Sequence, residues 1–223
     1  MLSGVFKRLW EAEWGVSGMR TSFKMRSALA AVAAFFLIAI NTPAFAAVEI
    51  TFYSREFGSQ FPHGFVTLVG TPDRGGDRID TNYGFTATHV SPAILFGSVR
   101  GKIDSAGAGY IRSSDAHFAL TLTDAEYDSV MATVERYRTQ RQPSYNLNRR
   151  NCVHFIADIA AAIGMRAELP KRLTRRPGAF AASLIRTNRE WLQARPDARI
   201  IREPGAEGRD EDGEREPQER GRD

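Results

Sequence analysis

The chain has 223 residues, with 30 Lys+Arg against 26 Asp+Glu, four His and a single Cys. One cysteine excludes an internal disulfide framework, and a lone Cys with four scattered His offers no ligand spacing for a structural metal. The length suits one domain, or two small ones.

Both ends read as lying outside the folded body. Arg20, Lys24 and Arg26 form a basic region, Ala28 to Ile40 is a continuous apolar run, and Ala44-Phe45-Ala46 is a small-x-small cleavage signal. Thirteen apolar residues are few for a bilayer span, so a removed signal peptide is expected, with the mature chain starting at Ala47. That predicts export, to the periplasm or beyond. Residues 1–18 are an extension upstream of this signal. From Glu203 to Asp223 there are nine acids, four arginines and no large apolar residue, a composition that predicts disorder. The expected organisation is an extension and signal peptide over 1–46, one domain over 47–195 and a charged tail over 196–223.

Residues 47–202 carry 21 Lys+Arg and 15 Asp+Glu, a net +6, with Arg149, Arg150, Arg166, Lys171, Arg172, Arg175 and Arg176 clustered late. An anionic envelope surface suits such a cluster, and a solvated face accounts for it equally well. For an exported chain no nucleic acid partner is expected.

VEITFYS (Val48–Ser54) alternates as a half-buried strand does. FPHGFVTLVG (Phe61–Gly70) is a second strand, TPDRGGDR a turn, and IDTNYGFT (Ile79–Thr86) the returning arm of a hairpin. Further strands are expected at Ala93–Gly101, Ala108–Ser113 and His117–Thr123. The period then changes. Thr123 and Glu126 make a capping box, and Tyr127, Val130, Met131, Val134 and Tyr137 follow at helical spacing, predicting a helix from Asp124 to about Gln140. A second helix begins near Asn151 with Cys152, Phe155, Ile156, Ile159, Ala160 and Ile163 on one stripe, and Gly164 is placed to end it. A third is expected from Gly178 to about Gln193. Strands first and helices later predict an α+β fold, an antiparallel sheet packed against helices.

Cys152 stands at the first turn of its helix, after the N-cap residue Asn151. The unpaired amides and dipole there favour a thiolate and can hold an oxyanion, so the position suits a nucleophile; a buried, inert cysteine is the competing reading. His154, two residues on, points to nearly the opposite side of the helix and is expected to play another part. His63, His89 and His117 are the candidate bases, and spacing alone does not rank them.

Asn151-Cys152-Val153-His154-Phe155 resembles the N-C-E-H-F motif of lecithin:retinol acyltransferase-like proteins, in the circularly permuted branch of the NlpC-type, papain-like cysteine hydrolases. His63-Gly64-Phe65-Val66-Thr67-Leu68-Val69-Gly70 is similar to the strand that carries that branch's catalytic histidine. The resemblance spans roughly residues 61–164. It implies a papain-like fold with the nucleophile at a helix N-terminus, Cys152 as that nucleophile and His63 as its base. It also implies a third polar residue on the returning strand, a second histidine in many members. Ile79–Thr86 has no histidine, so Asn82 is the expected third residue, with Asp80 and then His89 behind it. Val153 departs from the family's glutamate.

For a chain expected to be exported, the resemblance implies a thiol hydrolase or acyltransferase working through an acyl-enzyme, on amide bonds of cell-envelope peptides or on lipid acyl groups; no cofactor or metal is expected. The alternative is a non-catalytic envelope binding protein that keeps the fold. A third is a covalent dimer through Cys152.

Overall fold

The computed structural model describes residues 47–56, 62–89 and 91–205. The signal-like segment, residue 61 of the second predicted strand and most of the acidic tail lie outside the described residues.

Strand β1 (Val48–Arg55) is the centre of the sheet. Its inward residues Val48, Ile50 and Phe52 are at most 1% exposed. On one side it pairs antiparallel with β2 (His63–Gly70), which pairs with β3 (Ile79–Ala87), which pairs with β4 (Gly101–Asp104). On the other side it pairs with β5 (Asp115–Leu122), which carries the short β6 (Arg199–Ile200). The order is β4-β3-β2-β1-β5-β6. The β2–β3 turn forms where Pro and Gly predict it, with Gly75 N–H donating to Pro72 O at 2.9 Å.

Two expected strands are not strands. Ala93–Gly101 gives a 3-10 turn over Pro92–Leu95, and β4 starts only at Gly101. Ile94 alone is buried there, while Leu95 and Phe96 are 57% and 87% exposed, so the apolar run never forms the inner face of a strand. Ala108–Ser113 instead contains a short helix, α1 (Ala108–Arg112), closed by Ile111 N–H to Gly107 O and Ser113 N–H to Gly109 O. A run this short carries no period that separates strand from helix.

Helix α2 (Asp124–Arg138) starts on the predicted capping box, with Glu126 N–H donating to Thr123 Oγ1 at 3.2 Å and Thr123 N–H to Glu126 Oε2 at 2.8 Å. Helix α3 (Cys152–Ala162) ends at Gly164, whose φ of +86° is the left-handed geometry glycine adopts without strain. The third predicted helix is two, α4 (Pro177–Thr187) and α5 (Arg189–Gln193). Asn188 divides them: its side chain donates to Leu184 O and Arg166 O and accepts from Arg166 N–H.

Helices α3 and α4 pack on the sheet face that carries Gly64, where an added Cβ would lie 3.0 Å from Ile156 and 3.2 Å from Pro177. Phe155, Ile156 and Ile159 are at most 1% exposed on that side, each burial worth about 1.5–3 kcal/mol. The fold is α+β, a six-stranded antiparallel sheet against helices, with its cysteine at the head of α3. It also runs past the expected boundary at 195. Beyond that point β6 joins the sheet, Arg202 pairs with Asp115 at 2.6 Å, and Ile201 and Arg202 amides donate to His117 O. The acidic count from Glu203 onward hid these anchoring contacts in the ten residues before it. Among the described residues no helix is long and apolar enough to cross a membrane.

Candidate active site

Asn151 builds the head of α3. Its side-chain oxygen accepts from Val153 N–H at 2.9 Å and His154 N–H at 3.2 Å, while its amide donates to Leu147 O at 2.7 Å and Thr174 O at 2.5 Å. His154 completes the cap, its Nδ1 lying 2.9 Å from Asn151 Oδ1. The Asn and His of the motif therefore hold the helix start together. His154 is a capping group and not the partner of the thiol, as its position two residues on implies.

Cys152 is 4% exposed. Its thiol donates to Pro62 O at 3.9 Å, which places the sulfur against the main chain flanking His63. Burial pushes the thiol up to about 11, and amides of Gly64, Val153 and Cys152 directed at the sulfur only partly offset that; Glu56 adds to the rise. The helix terminus was expected to lower this value. Here the loss of water outweighs the terminus, since a buried thiolate gives up its hydration.

His63 heads β2, registered against Arg55 on β1. Gly64 faces α3, so by the alternation of the strand the His63 side chain lies on the other face, with Phe65, 6.1 Å away ring to ring. The sulfur reaches the start of the strand at Pro62, next to His63 in the chain. Its hydrogen bond is to Pro62 and not to the ring. Burial lowers His63 to about 4, against an opposing pull from Asp104, so the imidazole is neutral at ordinary pH and able to accept a proton.

A cavity of about 230 Å³ opens beside His63. Phe65, Asn82, Gly84, Asp104, Tyr110 and Tyr145 line it with the imidazole. Cys152 is not in its lining, but Tyr110 and Tyr145, which are, lie within electrostatic reach of its sulfur once that is ionised. Tyr145 is 7% exposed, and burial pushes its hydroxyl well above the ordinary phenol range.

Among the expected third residues, Asn82 reaches this cavity. Both ends of its carboxamide are taken, Nδ2 donating to Ala106 O at 3.0 Å and Oδ1 accepting from Ala106 N–H at 2.6 Å. It ties the β4–α1 loop to the sheet. Asp80 is exposed and registered against Val69, at the end of β3 remote from His63, and His89 is exposed after β3. The carboxylate whose charge acts on His63 is Asp104 on β4, a residue that no sequence motif marks. Among the described residues no group of three or more His, Cys, Asp or Glu is placed to hold a metal ion.

No protein-family model and no curated protein matches the chain. Among solved structures, the type VI secretion system effector TseH is similar, at 15% sequence identity and a TM-score of 0.42, the match covering 63% of this chain and 88% of that one.

Proposed function

We propose that this protein is a cysteine hydrolase or acyltransferase in which Cys152 is the nucleophile and His63 the base. The observation that carries the reading is the sulfur of Cys152 seated on the main chain flanking His63, beside a cavity that the imidazole lines. The support is that Cys152, at a helix head, touches Pro62, the residue before His63 at its strand head, although Cys152 and His63 are 89 positions apart in the chain.

The pKa directions select the form of the chemistry. With a thiol raised and an imidazole lowered, the resting pair is neutral, not a thiolate–imidazolium pair. The thiol gives its proton to the imidazole as sulfur attacks a carbonyl carbon, and the carbonyl pair becomes an oxyanion beside the amides at the head of α3. The imidazolium then protonates the leaving amine or alcohol. Water or another acceptor, deprotonated by the same imidazole, releases the acyl group from sulfur. Amide bonds of cell-envelope peptides are the preferred substrates and lipid acyl groups the second choice, with export directed by the segment at 19–46.

A specific observation favours the second reading, a binding protein that keeps the fold: a thiol 4% exposed is also what an inert core cysteine looks like. Incubation with p-nitrophenyl acetate, followed by intact mass, separates the two. The enzyme reading expects one acetyl group on Cys152, formed at least about a hundredfold more slowly in His63→Ala. Equal rates in the two proteins would overturn it.

A further inference from the structure

We propose that Asp104 is the positioning residue for His63, acting on the imidazole across Gly84, a strand position that presents no side chain. The inference rests on the reading of His63 as the base and concerns how that base is held.

Three strands supply the arrangement. Phe65 on β2 is registered against Gly84 on β3, and Gly84 against Asp104 on β4. Residues directly opposite in antiparallel strands share a face, so Phe65, Gly84 and Asp104 form one row on the cavity side. Continuing that register would set His63 against Thr86. The ring instead leans diagonally over Gly84, so closely that a Cβ there would lie 2.4 Å from Nε2 and 3.1 Å from Cε1. Any other residue at 84 would occupy the space the imidazole fills. The far end of the ring is thus carried toward β4, where the next side chain in the row is the Asp104 carboxylate. His63, Gly84 and Asp104 all line the same cavity.

This direction fits the division of labour a base needs. Nδ1 is the nitrogen nearer the main chain, and the Cys152 sulfur touches the main chain next to His63, at Pro62 O. In this structure Asp104 acts on the ring as a charge and not through a hydrogen bond; were its carboxylate to accept Nε2–H, Nδ1 would stay unprotonated and free to take the thiol proton. Lys102 pairs with Asp104 through Oδ2 at 3.0 Å, which leaves Oδ1 to accept. The other charged or titratable groups near His63 are Arg55, turned onto the Tyr110 ring at 4.6 Å, Tyr110 and Tyr145 in the cavity lining, Lys102 on Asp104, and Cys152 beside Pro62. Asn82 shares the face, but its amide is held at both ends by Ala106.

The test follows the His63 ring by NMR titration of the histidine-labelled full chain, alongside Cys152 acetylation by p-nitrophenyl acetate, in Asp104→Ala, Asp104→Asn and Asn82→Ala. Asp104→Ala should shift the His63 titration to lower pH and slow acetylation at least about tenfold, a part of the roughly hundredfold or larger contribution of a positioned base. Asp104→Asn, which still accepts a hydrogen bond, should recover rate while the titration stays lowered. Asn82→Ala should leave the His63 titration where it was. A titration unmoved by Asp104→Ala, or one moved only by Asn82→Ala, overturns the proposal. Absence of any acetyl adduct in the unsubstituted protein would instead remove the functional reading, and the titration would still decide whether Asp104 holds the ring.

Discussion

His63 and His117 lie on the two strands that flank β1, at the same end of the sheet, and burial lowers both to about 4. The register of β1 and β5 slips between Phe52 and Tyr53, leaving His117 as the extra residue of a bulge. Its Nε2 lies 2.8 Å from Ser54 Oγ, and the charge of Asp115 acts on it, so by residue type this is a Ser-His-Asp set. Yet Ser54 is fully buried, His117 is 2% exposed, and Asp115 is paired with Arg202. Nothing can enter. His63 has the poorer set of neighbours by type and the better place: a cavity on one side and a thiol at the head of its strand. Access, more than composition, separates a site from a core contact.

The largest expected effect breaks the His63 side. Cys152→Ser or His63→Ala should cut acetylation of the protein by p-nitrophenyl acetate at least about a hundredfold, whereas Ser54→Ala should leave that rate unchanged. Ser54→Ala should instead lower stability in urea by about 1–3 kcal/mol, because the His117 ring loses its buried partner. Gly84→Ala comes next. Its methyl would displace the His63 ring, so acetylation should drop at least about tenfold, with near-native far-UV circular dichroism. Retained rate in Gly84→Ala would show that the ring position seen here is not the working one.

A third prediction uses the shared titration. Each histidine has an ordinary value near 6.5 and a folded value of about 4. Between those values the unfolded chain binds more protons than the folded one, so the stability present above pH 6.5 is lost as pH falls toward 4. The fully buried His117 accounts for on the order of 3 kcal/mol of that loss. In His117→Gln the fall of urea stability between pH 6.5 and 4 should be visibly shallower. An unchanged slope would contradict the buried, neutral ring. The smallest effect is at the helix head: Asn151→Ala removes a cap from α3 and should cost about 1–2 kcal/mol.

Much of this was legible in the sequence where periodicity was long. The alternation of Val48–Arg55 and the eleven-residue stripe of α3 each name their element and inward face. Ala93–Gly101 and Ala108–Ser113 were misread because short apolar runs fit either period, and Leu95 and Phe96 face solvent in spite of their chemistry. At the site, the motif marks Cys152 and His63 because both stand at element heads. Asp104 leaves no such trace. Its relation to His63 runs through two strand registers and a missing side chain at Gly84, which only the folded sheet brings together.

The central claim is that a neutral His63 activates a neutral Cys152. The rate of Cys152 acetylation by p-nitrophenyl acetate, measured from pH 3 upward, tests it most directly. The account predicts a rise as His63 loses its proton near pH 4, a plateau through neutral pH, and loss of that plateau in His63→Ala. A rate that climbs only as the thiol itself ionises near pH 11, alike in both proteins, would contradict it.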